Sequence, residues 1–381
     1  MPFPKLSKSA RWRIAILVLL VAVAVGVFLE WPEIEARWFP APAVIATPQL
    51  ACAEVQSRSL YFNGLALPWL EKMRPDLLTA EDRDAGSSRR RAFVQAPQNP
   101  KLFRQLDRQF RFDTLLLVGD PSNYQRLLDH LLEPEPEKRD FRLVYLDHWA
   151  FVFKRDASHV WQPADAEAVR QRLGKVRARD EATFLAMAAG KMLAVRQVDA
   201  AKRWLDEANA LDSRSIHVLG GLAGYQIAIS RWIEAETYAD KALAKNPDFI
   251  PALSAKIVAM RATRHNIDAF KFSVRLNTLL PEEPVRLWQH AQLAHEAKQI
   301  PTEIAALTRL IALAHEEGRP VAEYEFFLGE AHAHEAINNA EHAPFALDHL
   351  RRAVADPMLP AEKRKFADER ITLIRERTGL K

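Results

Sequence analysis

Twelve histidines are the first residues in this chain that invite a chemical role. The densest pair is His332 and His334. Residues two apart on a helix point to different sides, so this pair would serve one metal ion awkwardly. No HExxH segment and no Cys/His spacing of the zinc-ligand kind occurs. The sequence therefore predicts no metal site and reads the histidines as solvated helix residues. Asp147-His148, Asp82-Arg83 and Asp120 are of types suited to acid–base work. Asp147-His148, however, joins two apolar runs, where a turn favours such residues without catalysis. The G-x-S-x-G elbow, the P-loop and the G-x-G-x-x-G fingerprint are all missing. No catalytic residue and no cofactor is expected.

The composition agrees. Of 381 residues, 49% are hydrophobic and 27% charged, enough for packed cores. Basic and acidic residues are interspersed and the net charge is +4, so no nucleic-acid surface is expected. Cys52 is the single cysteine and cannot form an internal disulfide. Glycine is scarce, which suits helices.

Residues 14–29, IAILVLLVAVAVGVFL, form an unbroken apolar run. Extended to the flanking Trp12 and Trp31 it reaches about 20 residues, close to one bilayer crossing. Lys5, Lys8, Arg11 and Arg13 precede it, and Glu30, Glu33 and Glu35 follow it. This predicts a cytoplasmic basic tail (1–13), a transmembrane helix (14–30) and an extracytoplasmic remainder. A cleaved signal peptide is the rival reading, disfavoured by the length of the run. A proline-rich linker is expected over 31–54.

Residues 55–156 alternate strand-like and helix-like segments, predicting a small α/β domain. Strands are expected at 59–63 and 113–120, and a hairpin from 142–147 to 150–154. The run Ser87-Ser88-Arg89-Arg90-Arg91 reads as a solvated loop. The series NGLALPWLEKMRPDLLTAEDR, FRFDTLLLVGD, LLDHLL and FRLVYLDHWAFVFKR resembles the soluble domain that follows the last membrane helix in some bacterial glycosyltransferase-like membrane proteins. The resemblance covers about a quarter of the chain. It implies an outward-facing accessory domain on a bacterial-type inner membrane, without the membrane-embedded catalytic part. A segment at 157–180 connects this domain to the C-terminal half of the chain.

From about 181 the chain repeats every 34 residues. Leu185, Leu219, Leu253 and Leu287 share one column. Ala189, Ala223, Ile257 and Ala291 share a second, and Ala201, Ala235, Ala269 and Glu303 a third. Ala208, Ala242, Leu276 and Leu310 make a fourth, and Pro247 and Pro281 close two of the units. This period and pattern resemble the tetratricopeptide repeat (TPR), which implies paired antiparallel helices stacked into an α-solenoid. Repeats are expected over 181–357, the last one degenerate, with a capping helix over 358–381. The fold class is thus mainly α: a TPR-like solenoid preceded by a small α/β domain and one transmembrane helix.

Such arrays bind with the surface built by the first helix of each pair. In this register that surface includes His217, Ser254, Arg261, Trp288, Gln292 and His295. Trp288 and Gln292 lie four apart, on one helix face. The expected role is an anchored scaffold that holds a protein or peptide partner. The alternative is an enzyme or accessory subunit acting on cell-envelope glycans or lipid-linked sugars.

Overall fold

A computed structural model of the protein describes residues 48–380, apart from 58, 85, 134–139, 156, 173–175, 282 and 317–318. The expected basic tail, the transmembrane helix and residues 31–47 of the expected linker lie outside the described residues. Among the described residues no helix is long and apolar enough to cross a membrane.

The end of the expected linker is structured. Pro48–Ala53 forms helix α1, burying Ala51 and Cys52. It packs on helix α2 (Leu67–Met73), which follows strand β1 (Leu60–Phe62). Helices α3 (Ala80–Arg83), α4 (Ser88–Gln95) and α5 (Pro100–Phe110) lead to strand β2 (Thr114–Val118). Helix α6 (Gln125–Leu131) and the hairpin of β3 (Phe141–Leu146) and β4 (Ala150–Arg155) complete the domain. The strands lie in the order β1-β2-β4-β3, with β1 parallel to β2 and the other pairs antiparallel. β2, TLLLV, is buried along its whole length because it is flanked by strands on both sides and covered on both faces. Edge strand β3 alternates more, and its pairing shifts between Leu143 and Tyr145.

Aromatic rings fill this core. Tyr61 meets Phe103 edge-on at 5.3 Å and donates its hydroxyl to the Phe93 carbonyl at 2.9 Å. The basic run expected as a solvated loop instead starts α4. Arg89 pairs with buried Asp82 at 3.0 Å and lies over the Phe110 ring at 4.6 Å. Its guanidinium finds there an anion and an aromatic face together, which a solvated loop lacks. Asp82 in turn forms a capping box with Thr79 at the start of α3.

Helix α7 (Pro163–Arg172) lies in the expected connecting segment and contacts β3. The array follows as antiparallel pairs: α8 (Ala178–Ala194) with α9 (Val198–Asp212), and α10 (Ile216–Ala228) with α11 (Trp232–Leu243). Next come α12 (Ile250–Ala262) with α13 (Asn266–Leu279), and α14 (Pro284–Glu296) with α15 (Ile300–Glu316). The fifth pair is α16 (Ala322–Glu335) with α17 (Ala343–Ala355), and α18 (Ala361–Thr378) closes the array. Every residue of the four sequence columns is buried. The small ones sit where helix backbones approach closely, and the leucines fill the space between pairs. In α18 the packed face is Ala367, Ile371 and Ile374, while Phe366 is half-exposed against Phe326.

The turns within pairs repeat as strictly as the columns. Arg196, Ser230, Arg264 and Lys298 all have positive φ, between 58° and 64°. After each, a backbone N–H reaches back five residues: Gln197 to Met192, Arg231 to Gln226, His265 to Met260 and Gln299 to Ala294. This is the left-handed helix stop usually made with glycine. Here no glycine marks it, so no local residue choice announces it.

The α/β domain rests on the first helices of the array. Lys191 of α8 is buried, donates to the Gly119 carbonyl and lies 3.2 Å from the Tyr124 hydroxyl. Burial lowers its ammonium pKa to about 8, although Asp120 and Asp147 support the charge. Asp120 also reaches Arg286 of α14 at 3.5 Å, and His148 packs edge-on against Phe184 of α8. The turn after β2 therefore touches both the first and the fourth pair. Gly119 makes this turn possible: its φ is +91°, and an added Cβ would fall 2.5 Å from Leu65.

Candidate functional site

The first-helix surface opens beyond the α/β domain. Arg261, Trp288, Gln292 and His295 come together around one cavity of about 200 Å³. Arg261 ends α12, and the other three line successive turns of α14. Leu307 of α15 and Phe327 of α16 complete the apolar wall. Trp288 is half-buried, 5.4 Å from the Tyr324 ring and 5.1 Å from Phe327. Packing on the next repeat thus holds the indole in place while it remains part of the wall. Arg261 forms an ion pair with Glu296 at the rim.

The two other residues assigned to the same surface do not line this cavity. His217 packs edge-on against Phe249 at 5.2 Å, and burial lowers its pKa. The Ser254 hydroxyl is buried with no hydrogen-bond partner among the described residues. His217 is instead taken up by packing against the residue that leads into the following repeat.

A second cavity, about 350 Å³, adjoins the first through two shared residues, His295 and Glu303. Lys298, Ile300, Glu330, His334, Ile337 and Arg370 also line it. Arg370 of α18 holds Glu330 with Nη2 at 3.0 Å. Glu303 is 4% exposed, with His295 Nδ1 at 3.1 Å from one carboxylate oxygen and 3.2 Å from the other. Burial raises the Glu303 pKa, and His295 and His334 pull it back. Glu303 is visible in the sequence as the residue that breaks an alanine column. Its neighbours on α16 are not.

The other titratable groups serve the fold. Asp147 is buried and accepts hydrogen bonds from the Tyr145 hydroxyl at 2.7 Å and from Trp149 and Ala150 N–H at 2.6 and 2.7 Å. All three of these donors belong to the β3–β4 hairpin, so the carboxylate serves to fix it. Nor are the histidines uniformly solvated. His290 is buried, stacked on Phe270 at 5.5 Å and bonded to Ser273 at 2.8 Å. His332 is buried, 2.9 Å from His342 through their Nδ1 atoms and stacked on His349 at 5.5 Å. A flat ring with a polar edge fits a helix interface when a partner satisfies the edge. His334, two residues on, faces the second cavity, as the side alternation required. Among the described residues no group of three or more His, Cys, Asp or Glu is arranged to hold a metal.

These features define a TPR-like helical repeat protein with an α/β domain docked on it. The class rests on the buried columns and the repeated turns. No family model matches the sequence, and no curated protein matches it. Several solved structures are similar to part of it. One is YrrB, described as a TPR protein with an unusual peptide-binding site: 15% identity, 53% of this chain, 96% of that one, TM-score 0.42. Another is pilF of Pseudomonas aeruginosa, at 14% identity over 54% of this chain and 89% of that one, TM-score 0.40. A third is MamA from Desulfovibrio magneticus RS-1, at 16% identity over 52% and 94%, TM-score 0.35.

Proposed function

We propose that this protein is a membrane-anchored scaffold that captures a protein or peptide partner on the surface between the third and fifth helix pairs. The observation that carries this reading is the cavity lined by Arg261, Trp288, Gln292 and His295, with an aromatic wall open to a partner. At about 200 Å³ it is smaller than a pocket for a free metabolite and suits one side chain of a larger ligand. The apolar run at 14–29 and its charge flanks support the anchor, with the array on the outer side of a bacterial-type inner membrane.

Affinity capture from detergent-solubilised membranes tests the reading. Trp288→Ala combined with Arg261→Ala should cut partner yield while helical content stays unchanged. Equal yield from both proteins would remove the groove assignment. A C-terminal reporter active only outside the cytoplasm should report the array's side.

The glycan-directed alternative has one observation in its favour. A cleft of about 260 Å³ in the α/β domain is lined by Asp107, Glu133 and Asp140, with Arg104 and His130. Two facts weigh against chemistry there. Asp107 is held by Arg155 at 2.7 Å. The core beneath is filled by the fully buried Phe103, Phe112, Phe151 and Phe153. Lost sugar binding in Glu133→Gln/Asp140→Asn would revive it.

A further inference from the structure

The third packing column reads Ala201, Ala235, Ala269 and then Glu303. In the first three repeats the alanine is fully buried where the two helices of a pair cross. In the fourth the same place holds a carboxylate that is 4% exposed. Burying a carboxylate is costly unless it gains a strong partner. Its hydrogen-bond partner here is His295, whose side chain is 68% exposed and stands at the mouth of the cavity. An imidazole that open to water is weak compensation and is easily turned aside. The remaining charges of the cavity are balanced, since Arg261 pairs with Glu296. Glu303 is left as the carboxylate of this cavity whose partner is an exposed imidazole, with a further pull from His334 across the adjoining cavity.

The walls match that charge. Trp288 and Phe327 present aromatic rings, and Ala291 and Leu307 add apolar surface. Aromatic faces above a carboxylate make a site for a cation on an aliphatic stem. The volume admits one long side chain. Resting on the scaffold reading, we propose that this cavity is a specificity pocket for a lysine or arginine side chain of the partner. The stem lies against Trp288, Leu307 and Phe327, and the cationic head displaces His295 to pair with Glu303.

The full-length protein in detergent is applied to an array of nonapeptides in a Gly/Ser/Leu background that differ only at the central residue. Lysine and arginine centres should be retained about tenfold better than norleucine or glutamate centres, about 1.4 kcal/mol. Glu303→Gln, a neutral replacement of the same shape, should erase the preference. Glu303→Ala restores the column and should erase it too, with a melting temperature equal to or above that of the parent. A residue with a merely structural role would lower that temperature. A preference for neutral or acidic centres, or a lysine preference that survives both variants, overturns the proposal. If capture needs Trp288 yet ignores the central charge, only this inference falls. If no peptide is retained, or Trp288→Ala changes nothing, the groove reading falls with it.

Discussion

The two ends of the array are built from the same repeat and treat their first helices differently. In the first pair, α8 lies under the α/β domain, and Lys191 and Phe184 are covered by the turn after β2 and by His148. In the fourth and fifth pairs, α14 and α16 leave a gap lined by Trp288 and Phe327. The columns that hold a pair together are intact at both ends, except at Glu303. The difference shows that one packing scheme meets two surroundings. A surface satisfied by the chain's own domain is buried, and the same surface left open forms a cavity.

The largest expected effect separates the ends by stability. Phe184→Ala removes a ring that is 1% exposed and packed on Trp204 and His148. It should cost about 3–5 kcal/mol in denaturant unfolding. Trp288→Ala should cost about half as much or less, its ring being only half-buried, while abolishing capture. Equal costs would break the comparison.

Acid should act on the open end. His332 is held down to a pKa of about 4 by burial first and then by His349 and His342. Glu325, bonded to His349, is the carboxylate that faces this cluster. Below pH 6.5 the unfolded chain takes a proton that the folded one refuses until about pH 4. Stability of the α16–α17 pair is thus present above pH 6.5 and lost as the pH falls through that window, at up to about 1.4 kcal/mol per pH unit. Burial lowers His148, His217 and His290 as well, so the readout must be local. Hydrogen exchange in α16 and α17 should accelerate in that window, and less so in His332→Phe.

A smaller effect probes the covered end. Lys191→Met keeps an unbranched stem of similar length and discards the buried charge that lies over the Phe151 ring, so stability should change by about 0–2 kcal/mol, in the favourable direction. A large loss would mean that the ammonium itself fixes the docking. The smallest effect concerns neither end. Arg264→Gly relieves a φ of 64° and should stabilise by about 0.5–1 kcal/mol, read as a shift in denaturant midpoint.

Much of the array is legible in the sequence because its signal is periodic. Columns such as Leu185, Leu219, Leu253 and Leu287 report a local fit repeated at fixed spacing, and their burial follows from it. The candidate site is legible in part. Arg261, Trp288, Gln292 and His295 lie at register positions that a sequence can count. His217 and Ser254 occupy the same kind of position but do not line the cavity, His217 packing on Phe249 instead, which register alone cannot distinguish. Arg89 and His332 read as solvated in the sequence and are not, because their compensation comes from Asp82, Phe110, His342 and His349, residues brought near only by the fold.

The amino-acid order alone settled that helices pair and stack, since each helix face is written in residues three or four positions apart. Only the folded chain decided which part of that stack would be covered. Contacts such as Asp120 with Arg286 join residues 166 positions apart. They depend on how the pairs accumulate rotation from one to the next, a sum of small angles that no local pattern encodes.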